Sequence, residues 1–298
     1  MAVLKKNPHL PDYFTLMDGI RVSSPLADVP SLIEAYEEPR VLYFPDLKPR
    51  IDFDFWASID TDRNLSLRKF VTTPSIDFTP DSDGAERLKR VERAGVDDPE
   101  LAARLAAQIG AVLDQILPIY GALFKGYRFQ KGHVCWRLNT IHAENLHVDT
   151  YKVEQPYHFA RMFINLDNQP RIWHTSWRAQ EVIERAAGRI SQEQYEQLPT
   201  NELWAAFNKS VFGRTSLEWW DDQPRHIAFF EPGDVWVVDS RLVAHQIFYG
   251  RRAVSIDFFV HTDSMLSPDL HYLRIAEAAR MRLRSQAAPR NTTEKASV

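Results

Sequence analysis

His147 and Asp149 stand two residues apart between apolar neighbours in the stretch NLHVDTY, residues 145 to 151. Side chains at positions i and i+2 of a β-strand point to the same side, so this pair could bind one metal ion from a single rigid element. Another histidine would complete a facial triad of two histidines and one carboxylate. Such a triad holds Fe(II) and leaves positions open for a bidentate cosubstrate and O₂.

The spacing alone does not select this pair, because the sequence contains three pairs of a histidine with an acid two residues later. They are His142 with Glu144, His147 with Asp149, and His261 with Asp263. The first pair lies in the polar run NTIHAEN, which is typical of a loop. The second lies among apolar residues, which are typical of a strand. Composition by itself leaves all three pairs open.

A later segment supplies the third ligand of the predicted triad. In EPGDVWVVDSRLVAHQ, residues 231–246, a PGD turn begins an apolar strand, and a short polar turn then leads to His245 at the start of the next strand. A histidine in this place can close a triad only with a pair well upstream, which removes the last of the three pairs. We therefore predict His147, Asp149 and His245 as metal ligands and catalytic centre. The first pair remains the alternative.

A cation that could receive the distal carboxylate of 2-oxoglutarate lies in the strand-like run HFARMFINL, residues 158–166. Arg161 falls on the face opposite the apolar even-numbered residues of this run, which predicts that it points into a polar cavity. A buried guanidinium requires an anionic partner, and the far carboxylate would be one. Arg252, beside Arg251 after the distal histidine, is the rival anchor. The sequence leaves open which face of its strand lines the interior.

The composition fits one large domain with a full core, or two small ones, since 44% of the 298 residues are hydrophobic. A formal charge of -4 argues against a nucleic-acid partner. The single cysteine, Cys135, permits no internal disulfide and fits a reducing compartment. The N-terminal stretch lacks an apolar secretory segment, and no window approaches the roughly 20 apolar residues of a membrane span. These features predict a cytoplasmic protein.

The elements that must position the triad change in character along the chain. The first part mixes short apolar runs with prolines and contains one clear helix, which begins after Asp98 and which Pro118 should kink or end. Beyond about residue 125, short strands dominate, with a helical insertion over roughly Arg178–Phe212. This order predicts an α+β protein with a mainly β core, a cupin-like jelly roll with flanking helices.

We predict a single domain over residues 1–284. Its parts are a helical and mixed N-terminal part at about 1–124, a β core at about 125–262 and a C-terminal helix at about 266–284, followed by a flexible tail at 285–298. The C-terminal run carries six Lys or Arg against two Glu. Its helix is therefore predicted either to pack on the core or to lie on an anionic membrane surface, as a peripheral contact with the inner membrane.

The HVD motif with a distal histidine after a PGD turn resembles the Fe(II)/2-oxoglutarate dioxygenase superfamily, whose fold is the double-stranded β-helix. The segments PRVLYFPDL, CWRLNT, LHVD, ARMFINLDNQPRIWHT and WVVDSRLVAH together resemble the bacterial Kdo (3-deoxy-D-manno-oct-2-ulosonic acid) hydroxylases over most of the chain. The resemblance implies hydroxylation at C3 of Kdo in the inner core of lipopolysaccharide. It also implies Fe(II), 2-oxoglutarate and O₂, with ascorbate as reductant.

The same resemblance implies roles for the cations of the chain. Arg161, or else Arg252, would hold the far end of 2-oxoglutarate. Arg137, Lys152 and Arg178 lie close in sequence to the site strands and are candidates to bind the anionic Kdo-lipid A substrate. Two alternatives stay open at this point. One is a dioxygenase that hydroxylates another small molecule, such as an amino acid, natural product or lipid, and the other is a cupin-like metal protein without redox chemistry.

Overall fold

The structure is a computed structural model that describes residues 2–72, 84–138, 145–150, 157–213 and 222–287. Its strands are β1 Val3–Lys5, β2 Phe14–Leu16, β3 Val41–Phe44, β4 Lys69–Thr72, β5 Phe129–Arg137, β6 Tyr157–Asn165, β7 Arg171–Arg178, β8 His226–Phe230, β9 Val235–Val237, β10 Val243–Tyr249 and β11 Ala253–His261. Its α-helices are α1 Ile33–Glu37, α2 Phe53–Ser58, α3 Gly84–Arg93, α4 Pro99–Leu123, α5 Ala179–Ala186, α6 Gln192–Gln197, α7 Thr200–Phe212 and α8 Tyr272–Ala287. The fold is therefore mixed α/β with extended β-sheets.

Within the described residues, the strands form two sheets. One has seven strands in the order β2-β3-β9-β6-β11-β5-β4, and the other has four in the order β1-β8-β7-β10. Strand pairing is antiparallel except between β2 and β3. The sequence predicts a β core at about residues 125–262. Strands from the first 72 residues also extend both sheets, so the sheets begin earlier in the chain than this range. The N-terminal part instead supplies edge strands to the core.

The two faces of the larger sheet have different environments. Even-numbered residues of β11, such as Ile256 and Phe258, join a large apolar cluster with α2 and α4. The opposite face packs against the four-stranded sheet through an aromatic cluster that contains Phe163, Trp173 and Trp236. The alternation of side chains along each strand therefore decides which of them point between the sheets.

Helix α4 begins as the sequence predicts, because the Asp98 carboxylate accepts hydrogen bonds from the amides of Glu100 and Leu101 at 2.9 and 3.2 Å. It does not end at Pro118 but continues to Leu123. By length and composition this helix could cross a membrane, contrary to expectation. Since 56% of its most apolar stretch is buried, packing in the core accounts for its apolar character.

The predicted insertion is confirmed as helical and consists of α5, α6 and α7. Together with α8 these helices bury a second apolar cluster. Tyr272, Ala276 and Ala279 of α8 are buried in it, so this side of the C-terminal helix packs on the protein. The helix extends to Ala287, three residues beyond the predicted boundary at 284. The remainder of the predicted tail, residues 288–298, lies outside the described residues.

Candidate metal centre

His147 and His245 meet across an antiparallel backbone bridge. The His147 amide donates to the His245 carbonyl at 3.1 Å, and the His245 amide donates to the His147 carbonyl at 2.7 Å. The amide of Asp149 donates to the carbonyl of Ser240 at 2.9 Å. Residues 145–150 make only this single bridge and do not form an extended strand. The sequence predicts a strand here. The bridge nevertheless brings the HVD segment beside the distal histidine.

The three predicted ligands converge. Asp149 Oδ1 lies 3.4 Å from His147 Nε2 and 3.8 Å from His245 Nε2, and one ligand atom from each residue lies within 4.8 Å of the others. Two donors bound at right angles, each about 2.1 Å from one metal ion, would stand about 3 Å apart. The observed separations thus need only small side-chain adjustments to hold an ion. The group fits a divalent metal with open positions.

Hydrogen bonds to backbone carbonyls orient both imidazoles. His147 Nδ1 lies 2.7 Å from the carbonyl oxygen of Asn145, and His245 Nδ1 lies 3.2 Å from that of Val243. With each Nδ1 donating its proton to a carbonyl, each Nε2 keeps a lone pair directed at the site. The Trp173 ring stacks on His245 with centroids 5.3 Å apart, which further restricts the orientation of this imidazole.

The charges in the site keep the ligands in forms that bind metal. Burial would raise the pKa of Asp149, but the guanidinium of Arg161 and the two imidazoles hold it well below its usual range. Burial and the neighbouring His147 lower the pKa of His245 to about 4. At neutral pH the carboxylate is therefore ionised and the His245 imidazole is neutral, as coordination requires.

Arg161 lies beside the triad but is engaged by two carboxylates. Its Nη1 donates to Asp149 Oδ2, and its Nε forms an ion pair with Asp257 Oδ1 at 2.6 Å. Asp257 stands opposite it in the pairing of β6 with β11, which explains this contact. The sequence correctly places Arg161 in a polar cavity, but its partners are protein acids.

A cavity between the two sheets opens from the triad. The space between its lining atoms, open solvent included, is about 480 Å³. Its lining comprises Arg137, His147, Asp149, Arg161, Phe163, Arg171, Trp173, His245, Ile247, Ala253, Val254 and Ser255. Both sheets contribute to these walls, so the antiparallel register determines which charges face the site.

Arg171 is a cavity cation that the sequence reasoning missed. It is 1% exposed, its Nη1 donates to the carbonyl of Gly250 at 3.1 Å, and its Nε has no hydrogen-bond partner among the described residues. Gly250, with φ of +143°, allows this approach, since a Cβ there would lie 2.7 Å from Arg171 Cγ. Burial and the positive charge of Arg137 lower the pKa of Arg171 to about 9. The alternation of side chains in RIWHTSW, residues 171–177, places Arg171 and Trp173 on one face and could have identified Arg171 from the sequence.

Other predicted site residues lie elsewhere. Arg252, the rival anchor, donates to the carbonyls of Trp56 and Ile59 at 2.9 and 2.7 Å at the end of α2, and it does not line the cavity. Arg178 pairs with Glu181 at the start of α5 and is also absent from the cavity lining. Both placements differ from the sequence-based prediction. Strand alternation directs Arg252 away from the cavity, and the ion pair with Glu181 holds Arg178 outside it. Lys152, His142 and Glu144 lie outside the described residues.

Behind the triad, a buried polar group fixes the turn that precedes His245. Arg241 Nη2 pairs with Asp239 Oδ2 at 3.2 Å, and Arg241 Nη1 donates to the Tyr157 carbonyl at 2.9 Å. His158 Nδ1 lies 3.4 Å from the same carboxylate oxygen. Burial lowers the pKa of His158 to about 3, so this imidazole is neutral in the folded protein at neutral pH.

We expect acid to destabilise the metal-free protein partly through His158. In the unfolded chain this histidine binds a proton below pH about 6.5, whereas in the folded chain it stays neutral to about 3. Stability therefore falls as the pH drops from 6.5 towards 3, by up to about 1.4 kcal/mol per pH unit for one such group. Urea unfolding between pH 7 and 5 should show a shallower acid slope for His158→Gln than for the wild type. Equal slopes would show that His158 protonates within the fold.

A family model described as 3-deoxy-D-manno-oct-2-ulosonic acid (Kdo) hydroxylase matches residues 25–282 of this chain. Comparison with curated protein sequences gives no match. The match covers the cavity, the triad and most of the helices around them.

Solved structures of the Kdo hydroxylase KdoO, a non-heme Fe(II) alphaketoglutarate-dependent dioxygenase, are similar to this chain. The apo structure aligns with a TM-score of 0.58 at 17% identity, over 90% of this chain and 96% of that chain. The complex with alphaketoglutarate and Fe(III) aligns with a TM-score of 0.57 at the same identity and coverage. At this identity the likeness shows a shared fold.

Proposed function

Since the chain belongs to the Kdo hydroxylase family, we propose that it is a non-haem Fe(II)/2-oxoglutarate-dependent dioxygenase that hydroxylates Kdo, at C3 of the sugar in the lipopolysaccharide inner core. The observation that carries the proposal is the convergence of His147, Asp149 and His245 at the end of a cationic cavity. The alternatives of another substrate or of a non-redox metal protein have no comparable support.

We also propose that the fold is a double-stranded β-helix of the jelly-roll, cupin-like type. The two facing sheets, which are antiparallel except between β2 and β3, and the cavity between them support this fold. Strands from the N-terminal part lie in both sheets, and helices α5 to α8 pack on one another. These connections support a single dioxygenase domain over residues 1–284.

We assign His147, Asp149 and His245 as the ligands of Fe(II). The bound iron, with 2-oxoglutarate and O₂, would supply the oxidising chemistry that releases succinate and CO₂ and inserts one oxygen atom into the substrate. Ascorbate would serve as reductant. The protein itself orients the ligands through backbone carbonyls, shields the site between two sheets and holds the cosubstrate by its far end. No side chain needs to act as a general acid or base.

Arg171, rather than Arg161, is proposed to bind the distal carboxylate of 2-oxoglutarate. Arg161 touches Asp149 itself, so it stands at the metal end of the cavity, and its charge is shared by two acids. Arg171 is buried, faces the same cavity and has no ion pair with a carboxylate among the residues that the structure describes. A buried guanidinium next to another cation is stabilised by an incoming anion.

The dimensions of the site agree with this assignment. Thr175 stands opposite His245 in the pairing of β7 with β10, and Arg171 precedes it by four residues, or about 13 Å along the strand. An arginine side chain spans roughly half of that distance. The remainder would be left for the cosubstrate between Arg171 and the triad.

Arg137 is proposed to bind the substrate. It lines the same cavity but is only partly buried, so it lies nearer the entrance than Arg171 does. Kdo carries a carboxylate, and its lipid-linked form carries phosphate, so a cation at the entrance would attract it. The pair of Arg178 with Glu181 makes it a weaker candidate for this role than Arg137. For Lys152 the role remains a proposal from sequence.

The location of the enzyme follows from its proposed substrate. A lipid-linked sugar would be met at a membrane surface, and we propose a cytoplasmic enzyme with peripheral contact at the inner membrane. The exposed side of α8 carries Arg282 and Arg284 close to its end, and basic helices bind anionic surfaces.

The proposal predicts a specific product. Purified enzyme with Fe(II), 2-oxoglutarate, ascorbate and Kdo-lipid A should yield a lipid heavier by one oxygen atom, with one succinate formed for each product molecule. Mass spectrometry and succinate analysis measure the two. Asp149→Ala, which loses a proposed iron ligand, is the control and should give neither. Turnover on another compound but not on Kdo would favour the alternative substrate, and absence of succinate under all conditions would favour a non-redox metal protein.

A further inference from the structure

The two oxygen atoms of the Asp149 carboxylate have different partners. Oδ1 faces the two imidazoles, 3.4 Å from His147 Nε2 and 3.8 Å from His245 Nε2. Oδ2 accepts hydrogen bonds from Ser240 Oγ, at 2.6 Å, and from Arg161 Nη1. The same Arg161 nitrogen also donates to Ser240 Oγ at 2.5 Å. Serine, arginine and Oδ2 thus form a closed triangle on the side of the carboxylate away from the imidazoles.

This asymmetry bears on the number of positions open at the metal. A carboxylate can bind a cation through one oxygen or through both. If three ligands each contribute one atom to octahedral iron, three positions remain, and 2-oxoglutarate and O₂ require all of them. A bidentate Asp149 would occupy a fourth position and leave no place for O₂ once 2-oxoglutarate is bound.

We propose that Ser240 and Arg161 are positioning residues that hold Oδ2 of Asp149 and thereby restrict this carboxylate to one-atom coordination through Oδ1. The inference rests on the proposed function, since it concerns the same iron site. It also gives Arg161 a task that differs from the cosubstrate anchor predicted from sequence. Two charge-assisted hydrogen bonds to one oxygen compete directly with a second bond from that oxygen to the metal.

The surroundings of both donors are rigid enough for this task. The carbonyl of Ser240 accepts the Asp149 amide at 2.9 Å, so two bonds join these residues. On either side of Ser240, the fully buried Asp239 and Arg241 pair with each other at 3.2 Å. The backbone of Ser240 is therefore held in place, and turning its hydroxyl group away would break the hydrogen bonds with Asp149 Oδ2 and Arg161 Nη1.

Arg161 is likewise fixed on both sides. Its Nε pairs with Asp257 Oδ1 at 2.6 Å, and its guanidinium carbon lies 5.0 Å from the centre of the Phe163 ring. Asp149 and Asp257 hold the planar guanidinium of Arg161 between them, so its Nη1 stays directed at Asp149 Oδ2. Asp257 therefore supports the metal ligand indirectly, through the arginine.

The experiment compares Ser240→Ala with wild type in the anaerobic complex with Fe(II) and 2-oxoglutarate. Nitric oxide, which occupies the O₂ position and gives an EPR signal with ferrous iron, is the probe. We expect Ser240→Ala to bind Fe(II) and 2-oxoglutarate but to bind nitric oxide at least about tenfold more weakly, an effect of the size seen when outer-sphere partners are removed. With saturating 2-oxoglutarate, kcat should fall while KM for 2-oxoglutarate stays near the wild-type value.

Two further variants keep the test decisive. Ser240→Cys has a similar volume but only a weak S–H donor, so it should reproduce the nitric oxide defect even if the alanine variant does not fold. Ser176→Ala is the matched control, because the buried Ser176 Oγ donates to the carbonyl of Pro224 at 2.7 Å and Ser176 does not line the cavity. We expect this control to bind nitric oxide as the wild type does.

The outcomes separate this inference from the proposed function. Wild-type affinity for nitric oxide in both Ser240 variants would overturn the positioning role while leaving the iron site intact. An equal defect in Ser176→Ala would also overturn it, because the effect would not be specific to Asp149 Oδ2. Failure of the wild-type protein to bind Fe(II) and 2-oxoglutarate would instead contradict the proposed function.

Discussion

His245→Ala should bind Fe(II) more than about 100-fold more weakly than the wild type and should form no succinate above background. Loss of outer-sphere partners alone costs on the order of 10- to 100-fold in metal affinity, and this change removes a proposed ligand atom. The triad loses one of its two imidazole ligands, and the Trp173 ring that stacks on His245 cannot coordinate the ion. Titration calorimetry with anaerobic Fe(II), or with Co(II) as a stable substitute, measures the change.

A matched control for this variant lies on the neighbouring strand. His174 stands opposite Gln246, next to His245 in the register of β7 with β10, and its ring contacts Gln246 at 3.2 Å. Its side chain points to the other face of the sheet and does not line the cavity. His174→Ala should therefore keep full metal affinity. Metal affinity retained in His245→Ala would contradict the assigned triad, whereas affinity retained in Asp149→Ala would direct attention to His142 and Glu144.

Arg171→Ala should raise KM for 2-oxoglutarate by about 10- to 100-fold, since a hydrogen bond to a charged group contributes roughly 1.5 to 3 kcal/mol. At saturating 2-oxoglutarate kcat should recover much of its wild-type value, because the anchor does not touch the reacting atoms. Steady-state succinate formation over a wide range of 2-oxoglutarate concentration checks both parameters. An unchanged KM would remove Arg171 as the anchor.

Substitution of Arg252 and Arg161 tests whether either of them, rather than Arg171, binds the distal carboxylate of 2-oxoglutarate. Arg252→Met should lower thermal stability, because the guanidinium binds two carbonyls at the end of α2, while KM for 2-oxoglutarate stays the same. Arg161→Met should lower kcat and alter the iron site, since its partners are Asp149 and Asp257. A selective rise of KM for 2-oxoglutarate in either variant would restore the corresponding sequence-based prediction.

The sequence by itself identified the residues whose chemistry depends on local spacing. His147 and Asp149 follow one another at an interval that places both on one side of an extended segment, and His245 begins a strand after a recognisable turn. The structure brings these three together. The helical insertion and the Asp98 cap were also predictable, because both depend on neighbours within a few residues.

Only the tertiary structure decided which arginines face the cavity and what they contact there. Arg161 and Asp257 are 96 positions apart in the printed sequence and meet because β6 pairs with β11 in one particular register. Arg171 faces the triad because its strand packs across from the larger sheet, and Ser240 reaches Asp149 from a turn. A charged side chain takes its role from partners brought close by strand register and sheet packing, and a one-residue shift of register would reverse its direction.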